Sequence, residues 1–417
     1  MKESAQTEIV ILGGGFGGVI TAKYLLRKLL SGFHITLVDK HEYQDFHADL
    51  YEVASSWIEE DHRGKHDYHD IVGTVSLPYK DIFSDNKNIT TLADEVVEID
   101  LKRRKVKLSS EKILDYNYLV VALGSESNFF GIPNLEEHSF ALKSVDDAMN
   151  LRNEIEERFF DPNPELNILI GGGGFTGVEL AAELTNFIGK ICKNKNLPQT
   201  GVTITILEAT EGLLGGAEDW SKKLTQKRLE KLGVKVRLNS PIKNVTKTHV
   251  ELANQEKLSY DILVWTAGVK GNHILAKTEG FEITKMGSIV VDKYLKAKNL
   301  DNVFALGDAA TYFEENSKPA PPTAQKAIHE GKLVASNLAN QLLDYPLLPY
   351  KSKKPTFMIP LGGKYALGKI GPVKFTGLAG WIVRELIALR YFSTILPFSV
   401  AFDLWLDGVR VFERNDS

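Results

Sequence analysis

A glycine pattern near the amino terminus is typical of a phosphate-binding turn. Gly13, Gly15 and Gly18 have the spacing Gly-x-Gly-x-x-Gly and stand between a short apolar run and a segment with helical periodicity. Such glycines allow a tight turn, a close approach of the backbone to a pyrophosphate and close packing of helix on strand. Asp39 ends the next apolar run, where a carboxylate binds ribose hydroxyl groups. A plain tight turn is the alternative, but it does not explain the strand, the helix and the acid together.

The same pattern recurs in the middle of the chain. Gly172, Gly174 and Gly177 repeat the spacing, and Glu208 ends the apolar run that follows. A carboxylate at this point accepts hydrogen bonds from a free 2′-hydroxyl group and repels a 2′-phosphate. The second site is therefore predicted to prefer NADH to NADPH.

Two further acids stand at positions where a carboxylate could take part in binding or chemistry. Glu179 is predicted to lie in the first turn of the helix after the second glycine turn, where the helix dipole favours a carboxylate. It is either a structural acid or an acid that faces the nicotinamide. Asp308 follows Gly307 after an apolar run, and a carboxylate there suits the hydroxyl groups of a sugar alcohol, although Gly-Asp is also an ordinary turn signal.

Two copies of one β-α-β pattern must position these residues. Strands are predicted at 8–13 and 34–39 around a helix over 16–30, and again at 166–171 and 202–208 around a helix over 175–190. Each copy is followed by short alternating strands and closes with an apolar strand that ends in glycine, Gly124 or Gly268. The sequence predicts an α/β protein with two Rossmann-like dinucleotide-binding domains and a further amphipathic helical region at the carboxyl end.

Composition limits the remaining classes of protein. The 417 residues exceed what one hydrophobic core usually covers, and a net charge of −4 argues against a general nucleic-acid binder. The single cysteine, Cys192, excludes an internal disulfide, a Cys-x-x-Cys redox centre and a multi-thiolate metal site, and a buried thiol is expected. No run approaches the roughly 18 apolar residues of a spanning helix, and no secretory signal is expected.

Together these segments resemble the two-dinucleotide-binding-domain flavoprotein superfamily. The resemblance includes both glycine turns, the apolar strands ending at Gly124 and Gly268, and the Phe-Ala-Leu-Gly-Asp-Ala run at 304–309. In that superfamily the first unit binds FAD non-covalently, the second binds a nicotinamide dinucleotide, and the aspartate of Gly-Asp contacts the flavin ribityl chain. The resemblance thus implies that Asp308, Ala122 and Gly124 lie along FAD.

Two segments are similar to one family within it, the type II NADH:quinone oxidoreductases, which are single-subunit, non-pumping NADH dehydrogenases. They are residues 172–184 and 321–331, and residues 46–55 resemble an early flavin-side segment of the same family. The resemblance implies that Ala324 and Gln325 contact the flavin and line a quinone site. The chain departs from the family at His329 and Glu330, where Gln-Gln is common.

The glycine turns and the resemblance predict three domains and a set of site residues. The domains are an FAD-binding domain over 1–130 and 281–345, an NADH-binding domain over 131–280, and a membrane-surface and dimerisation region over 346–417. The predicted catalytic residues are Glu179, Gln325 and His329, the last as a titratable proton donor beside the quinone. The predicted cofactor-binding residues are Gly13, Gly15, Phe16, Gly17, Gly18, Asp39, Lys40, Val97, Ala122, Gly124, Asp308, Ala324 and Gln325 for FAD, and Gly172, Gly174, Gly177, Glu179, Glu208 and Gly268 for NADH.

Three histidines, His62, His66 and His69, cluster in a polar insertion. Their spacing suits a metal ion, but a mobile surface loop is the favoured interpretation, and no metal site is predicted.

The carboxyl-terminal region combines positive charge with an apolar stripe. Residues 351–390 contain eight basic residues and one acid, so this segment carries +7 and the rest of the chain −11. Leu378, Ile382, Leu386 and Leu389 follow helical spacing, which is compatible with a core, with a dimer interface, or with a helix lying on an anionic bilayer. The bilayer is the favoured interpretation, and the resembled family carries its membrane anchor and dimer contacts here.

The sequence therefore predicts an NADH:quinone oxidoreductase that contains FAD, lies on the cytoplasmic face of the membrane, forms a homodimer, binds anionic lipid and does not pump protons. The alternatives are a flavin- and NADH-dependent reductase of a soluble electron carrier such as a ferredoxin, and a redox-sensing flavoprotein.

Overall fold

The computed structural model describes residues 6–58, 68–84, 86–161, 165–198, 201–314, 321–353 and 356–416. In these ranges the helices are α1 (Phe16–Lys28), α2 (Leu50–Val53), α3 (Tyr68–Val75), α4 (Tyr79–Phe83), α5 (Leu135–His138), α6 (Val145–Arg158), α7 (Phe175–Lys195), α8 (Asp219–Lys231), α9 (His273–Lys277), α10 (Ala324–Leu342), α11 (Gly377–Ile395) and α12 (Phe398–Phe412). The strands are β1 (Thr7–Leu12), β2 (Phe33–Asp39), β3 (Tyr43–Asp45), β4 (Ser76–Pro78), β5 (Ile89–Ala93), β6 (Val96–Asp100), β7 (Lys105–Leu108), β8 (Ile113–Asp115), β9 (Tyr118–Val121), β10 (Ser125–Ser127), β11 (Leu166–Gly171), β12 (Val202–Leu207), β13 (Lys235–Arg237), β14 (Ile242–Val245), β15 (His249–Leu252), β16 (Lys257–Ser259), β17 (Ile262–Trp265), β18 (Val269–Gly271), β19 (Ile289–Val291), β20 (Val303–Ala305), β21 (Ala310–Tyr312), β22 (Phe357–Pro360), β23 (Ala366–Ile370) and β24 (Val373–Thr376).

The first of two compact units is drawn from residues within 1–46, 76–126 and 269–355. Its central sheet is parallel, in the order β20-β9-β1-β2-β5. β1 lies in the middle, with Ile9 opposite both Ile35 and Tyr118, and its residues from Ile9 to Leu12 are buried. A strand covered on both faces needs a continuous apolar run, which explains the sequence of β1.

The second unit is drawn from residues within 47–75, 127–268 and 356–417. It contains a parallel sheet in the order β13-β12-β11-β17 and an antiparallel sheet in the order β14-β15-β16. Near the carboxyl end, β22, β23 and β24 form an antiparallel sheet that precedes α11 and α12. The three-domain division expected from the sequence stays a prediction.

The duplicated β-α-β pattern is confirmed, and the protein has the predicted α/β fold. The two helices depart from their expected ends for local reasons. α1 stops at Lys28 because Leu29 is extended, with φ −105° and ψ 131°. α7 continues five residues past the expected end, to Lys195, and Asn196 then closes it in the left-handed conformation.

The apolar stripe of α11 faces outward within the second unit. Leu378, Ile382 and Leu386 are 55%, 45% and 53% exposed, and Phe398 at the start of α12 is 67% exposed. The opposite side of α11, including Ala388 and Phe392, is buried. In the part of the chain that the structure describes, no helix is long and apolar enough to cross a membrane.

The remaining sequence expectations concern thiol and metal chemistry. Cys192 is buried near the end of α7, and burial raises the pKa of its thiol, as expected for an unreactive cysteine. His62 and His66 lie outside the described residues, as does the side chain of His69. Among the described residues, no group of three or more histidine, cysteine or acidic side chains is arranged to hold a metal ion.

Candidate active site

The turn between β1 and α1 uses glycine where any side chain would collide with backbone. Gly13 has φ +98°, and a Cβ atom added there would lie 2.3 Å from the carbonyl oxygen of Ala122. A Cβ atom added at Gly18 would lie 1.8 Å from the carbonyl oxygen of Gly13. The first glycine therefore permits the turn, and the last permits close packing of α1 on β1.

Asp39 closes this turn from the end of β2. One carboxylate oxygen accepts a hydrogen bond from the Gly14 N–H at 2.6 Å, and the other accepts from the His41 N–H at 3.0 Å. The Tyr79 hydroxyl donates to the Gly14 carbonyl at 3.1 Å. The acid that the sequence assigned to ribose binding is thus held in a fixed position beside the glycine turn.

The start of α1 fits a phosphate group. A Cβ atom added at Gly15 would meet nothing within 4 Å, and no side chain caps the helix at this residue. The first N–H groups of a helix need an acceptor and carry a partial positive charge, so an uncapped start beside open space suits an anion. The residues here fit the pyrophosphate of a dinucleotide.

The turn between β11 and α7 repeats this geometry. Gly172 has φ +119°, and a Cβ atom added there would lie 2.8 Å from the Ala267 side chain. A Cβ atom added at Gly177 would lie 2.0 Å from the Gly172 carbonyl oxygen, whereas Gly174 opens onto free space at an uncapped helix start. The second turn is therefore built like the first.

Glu208 occupies the place that Asp39 has in the first copy. Its Oε2 accepts from the Gly173 N–H at 2.7 Å, and its Oε1 accepts from both the backbone N–H and the hydroxyl of Thr210, each at 2.8 Å. Three donors therefore hold the carboxylate in a fixed orientation beside the second turn.

The Gly307–Asp308 turn lies in the first unit, after β20. Gly307 has φ +67°, and Asp308 accepts a hydrogen bond from the Ser125 hydroxyl at 2.7 Å through Oδ2. Gly124, just before Ser125, has φ +67° and open space around a Cβ position. The structure thus places Asp308 next to the residues that follow the apolar strand β9, and its contact with FAD stays a prediction.

Helix α10 begins at the predicted flavin-contacting residues. Thr323 caps it by accepting from the Lys326 N–H at 3.1 Å, and Ala324 and Gln325 form its first two positions. His329, one turn further on, lies with its Nε2 3.3 Å from the Lys351 carbonyl oxygen. Burial lowers the pKa of His329, and Lys353 lowers it further. The neutral imidazole is therefore favoured at neutral pH, which weighs against a role as a charged proton donor.

The other predicted cofactor residues lie in varied surroundings. Phe16 packs edge-on against Phe46, with ring centroids 5.6 Å apart, so its ring supports the first turn. Lys40 is exposed after β2, and Val97 is 43% exposed on β6. Gly268 has φ +74°, and a Cβ atom there would lie 2.4 Å from the Phe130 ring. Gly17 faces Leu306, whose side chain would lie 2.1 Å from an added Cβ atom.

The prediction that Glu179 lies in the first turn of its helix was wrong. α7 begins at Phe175, so Glu179 is the fifth helical residue and lies past the first turn, where the helix dipole has little effect. Burial and nearby charged side chains, rather than the helix dipole, set the pKa of Glu179. Burial raises the pKa of Glu179 well above its usual range, Arg384 partly opposes the shift, and Asp49 adds to it. The environment of Glu179 therefore shifts its equilibrium towards the protonated form.

Arg384 of α11 lies at the centre of a cluster that sequence reasoning missed. Its guanidinium binds the Asp49 carboxylate, donates to the Tyr51 oxygen at 2.7 Å, and lies 2.9 Å from Glu52 Oε1 and 2.5 Å from Glu385 Oε1. The Tyr51 hydroxyl in turn donates to Glu52 at 2.6 Å. No local signal in the sequence marks this cluster, because Asp49 and Arg384 are 335 residues apart.

The cluster contains more acids than Arg384 can neutralise. Burial raises the pKa of Asp49 to about 6, and it raises the pKa of Glu52 well above its usual range, although Arg384 opposes both shifts. The cluster lines a pocket together with aromatic side chains, among them Trp381 and Trp405. The second unit therefore contains a group of buried acids whose pKa values are raised by burial.

The fold and the paired glycine turns define the class of protein. The family model for pyridine nucleotide-disulphide oxidoreductases matches residues 7–331, and the chain belongs to this family. Disulphide chemistry itself needs two thiols, and the sequence contains one cysteine.

Within this class, the proteins of similar sequence belong to one enzyme family. A type II NADH:quinone oxidoreductase of Staphylococcus epidermidis is 32% identical over 95% of this chain and 97% of its own length, and one from Staphylococcus aureus is 29% identical over the same shares. Among solved structures, NDH2 from Plasmodium falciparum in complex with NADH has a TM-score of 0.82, with 19% identity over 97% of this chain and 98% of that one. The chain is a member of the type II NADH:quinone oxidoreductase family and is an NADH-dependent flavoprotein oxidoreductase.

Proposed function

We propose that the protein oxidises NADH with a bound FAD and passes two electrons to a membrane quinone. The observation that carries the proposal is the pair of matched turns, each with an uncapped helix start, open space at the middle glycine and an oriented acid. Bound FAD would supply the acceptor for the hydride of NADH and the donor of two electrons to the quinone. The relatives named for quinone reduction support the choice of acceptor.

The chain's own residues would bind and orient the two dinucleotides. The start of α1 would hold the FAD pyrophosphate, Asp39 its adenosine ribose and Asp308 its ribityl chain. The start of α7 would hold the NADH pyrophosphate, and Glu208 would accept hydrogen bonds from the ribose hydroxyl groups. Because the Glu208 charge is fixed by three donors, a 2′-phosphate would be repelled at this position.

Protons are the remaining requirement, because reduction of a quinone to a quinol takes up two protons with two electrons. Burial raises the pKa of Glu179, which shifts this acid towards its protonated form. It therefore suits a role as a proton donor better than His329, whose pKa is lowered. We assign Gln325 and Ala324, at the start of α10, to contact with the flavin and quinone.

The carboxyl-terminal helices would place the enzyme on a bilayer. α11 and α12 expose large apolar side chains, including Leu378, Leu386 and Phe398. Residues 351–390 carry +7, which favours an anionic lipid surface. We therefore propose a peripheral protein on the cytoplasmic face, a homodimer as the resemblance implies, and a reaction that moves no protons across the membrane.

One spectroscopic experiment tests the central proposal. The purified full-length protein should show flavin absorbance that NADH bleaches, and a ubiquinone or menaquinone analogue should restore it within the turnover time. Absence of flavin absorbance would contradict the whole proposal. Restoration by a soluble iron–sulfur protein but not by quinone would favour the ferredoxin-type reductase. A reduced flavin that persists in the presence of both acceptors would favour a redox sensor.

Proton pumping needs a separate measurement. The enzyme is reconstituted on sealed vesicles that contain quinone and an entrapped pH dye. NADH oxidation should leave the internal pH unchanged apart from passive leakage. A steady uncoupler-sensitive change of internal pH during turnover would contradict the non-pumping proposal.

A further inference from the structure

Side chains of α10 hold both polar backbone atoms of Gly307. The Gly307 N–H donates to Glu330 Oε2 at 2.7 Å, and Lys326 Nζ donates to the Gly307 carbonyl at 2.7 Å and to the Ala310 carbonyl at 3.2 Å. Lys326 and Glu330 are one helical turn apart, with 3.4 Å between Nζ and Oε1. The two side chains of this ion pair therefore hydrogen-bond to the N–H and to the carbonyl of a single residue.

Both side chains of the ion pair are almost completely shielded from water. The Glu330 side chain is 1% exposed and the Lys326 side chain 10% exposed. Tyr350 also shares a side-chain hydrogen bond with Glu330. Burial raises the pKa of Glu330, and Lys326 and the Gly307 N–H oppose the shift. Desolvation of an ion pair is costly, so such a pair is weak evidence of added stability, and its value lies in fixing geometry.

The orientation of Gly307 sets the direction in which Asp308 points. Gly307 has φ +67°, a conformation that glycine adopts readily because it lacks a side chain, and Asp308 follows it directly. Ser125 holds one oxygen of the Asp308 carboxylate, but the peptide bonds on both sides of Gly307 are oriented by Glu330 and Lys326. A change in either α10 side chain would therefore let the Asp308 turn rotate.

We propose that Glu330 and Lys326 are positioning residues that hold the Gly307–Asp308 turn in the orientation that binds the flavin. The inference rests on the proposed flavin site at Asp308. It gives a role to Glu330, one of the two positions at which the chain departs from the resembled family. It also predicts that flavin affinity depends on two residues that do not themselves touch the flavin.

The test compares flavin release from full-length variants purified with the flavin bound. The apparent dissociation constant for FAD is measured from the rise in flavin fluorescence as each holoprotein is diluted. Glu330→Ala and Lys326→Met should each weaken FAD binding by about tenfold, the effect of losing one buried hydrogen bond to a charged group. Glu330→Gln should recover part of the loss, because its amide oxygen can still accept from the Gly307 N–H. Lys332→Met, a lysine change on the same helix, should leave the dissociation constant unchanged.

Two readouts separate this role from a general loss of structure. The visible circular dichroism of the bound flavin should change in Glu330→Ala and Lys326→Met, while the far-ultraviolet spectrum matches that of the wild type. If Glu330→Ala does not fold, Lys326→Met decides the question. Wild-type affinity, within twofold, in both Glu330→Ala and Lys326→Met would overturn the inference, as would wild-type affinity in Lys326→Met alone if Glu330→Ala does not fold. A wild-type protein without FAD would instead overturn the proposed function.

Discussion

At the scale of single residues, position and protonation decide what each acid can do. Three donors fix the Glu208 carboxylate, whereas Glu179 is half-buried and desolvation raises its pKa. Arg384 has a third role, since it is the cation that binds Asp49 and Glu52. The surroundings of each carboxylate therefore decide which proposed role it suits, ribose binding for Glu208 and proton donation for Glu179.

Replacement of Glu208 by Gln should raise the KM for NADH about tenfold and leave kcat nearly unchanged. The amide cannot offer two ionised acceptor oxygens to the ribose, and it no longer repels a 2′-phosphate. Steady-state kinetics with NADH and NADPH measure both effects. The matched control is Glu157→Gln, an exposed acid on α6. An unchanged preference for NADH over NADPH in Glu208→Gln would contradict the assignment.

Replacement of Arg384 by Met should destabilise the protein by about 3–5 kcal/mol at pH 8, because it leaves buried acids without their cation. The loss should be smaller at pH 5. Arg384 lowers the pKa of Asp49, whose value is about 6 with the arginine present, so without Arg384 these acids stay protonated to higher pH. The destabilisation therefore grows as pH rises above about 6.

Urea unfolding of both proteins at pH 5 and pH 8 checks this expectation. Arg390→Met provides the control, because Arg390 is exposed on the same helix. Equal losses for Arg384→Met at the two pH values would show that the acids do not respond to the arginine as described.

At the scale of elements, two helix starts are built alike, and we propose that they hold different ligands. α1 and α7 each pack against a strand through a glycine whose missing Cβ leaves room for a carbonyl oxygen. Each helix also starts without a side-chain cap. The two starts can therefore be impaired independently, and the consequences should differ.

Gly18→Ala should reduce the amount of FAD that stays with the purified protein, while Gly177→Ala should leave FAD in place and raise the KM for NADH. An added Cβ atom would lie 1.8 Å or 2.0 Å from the carbonyl oxygen of Gly13 or Gly172, so each helix start must shift. Flavin-to-protein ratios and NADH kinetics measure the two effects. Gly73→Ala is the control, because its Cβ atom would meet nothing within 4 Å. Loss of FAD from Gly177→Ala at the level of Gly18→Ala would contradict separate sites.

At the scale of the whole molecule, charge and apolar surface are unevenly distributed along the chain. The +7 segment at 351–390 overlaps the helix that exposes Ile382 and Leu386, while the rest of the chain carries −11. The net negative charge of the rest of the chain disfavours its contact with anionic lipid. The positive charge of residues 351–390 favours such a contact. This distribution supports attachment through the carboxyl-terminal region.

The double change of Ile382 and Leu386 to Asp should abolish flotation of the full-length protein with vesicles that contain anionic lipid. Turnover with a water-soluble quinone analogue should stay near that of the wild type, whereas turnover with a long-chain quinone in vesicles should fall about tenfold, because charged groups do not enter the acyl boundary. Leu343→Asp is the control, since Leu343 is 53% exposed, as is Leu386. Undiminished flotation of the double variant would contradict the proposed anchor.

The sequence by itself determined the duplicated β-α-β units, both glycine turns and the acids at the strand ends. Each of these features is contained in one local unit, so residue spacing is enough to place Asp39 beside Gly14 and Glu208 beside Gly173. Only the tertiary structure decided which residues distant in the chain contact each other, and which acids are buried so that their pKa values shift. Asp49 meets Arg384 across 335 positions, Glu330 reaches back to Gly307, and the pKa of Glu179 is raised by the packing around it. Desolvation and ion pairing depend on the packed environment, and spacing in one segment of chain does not contain that information.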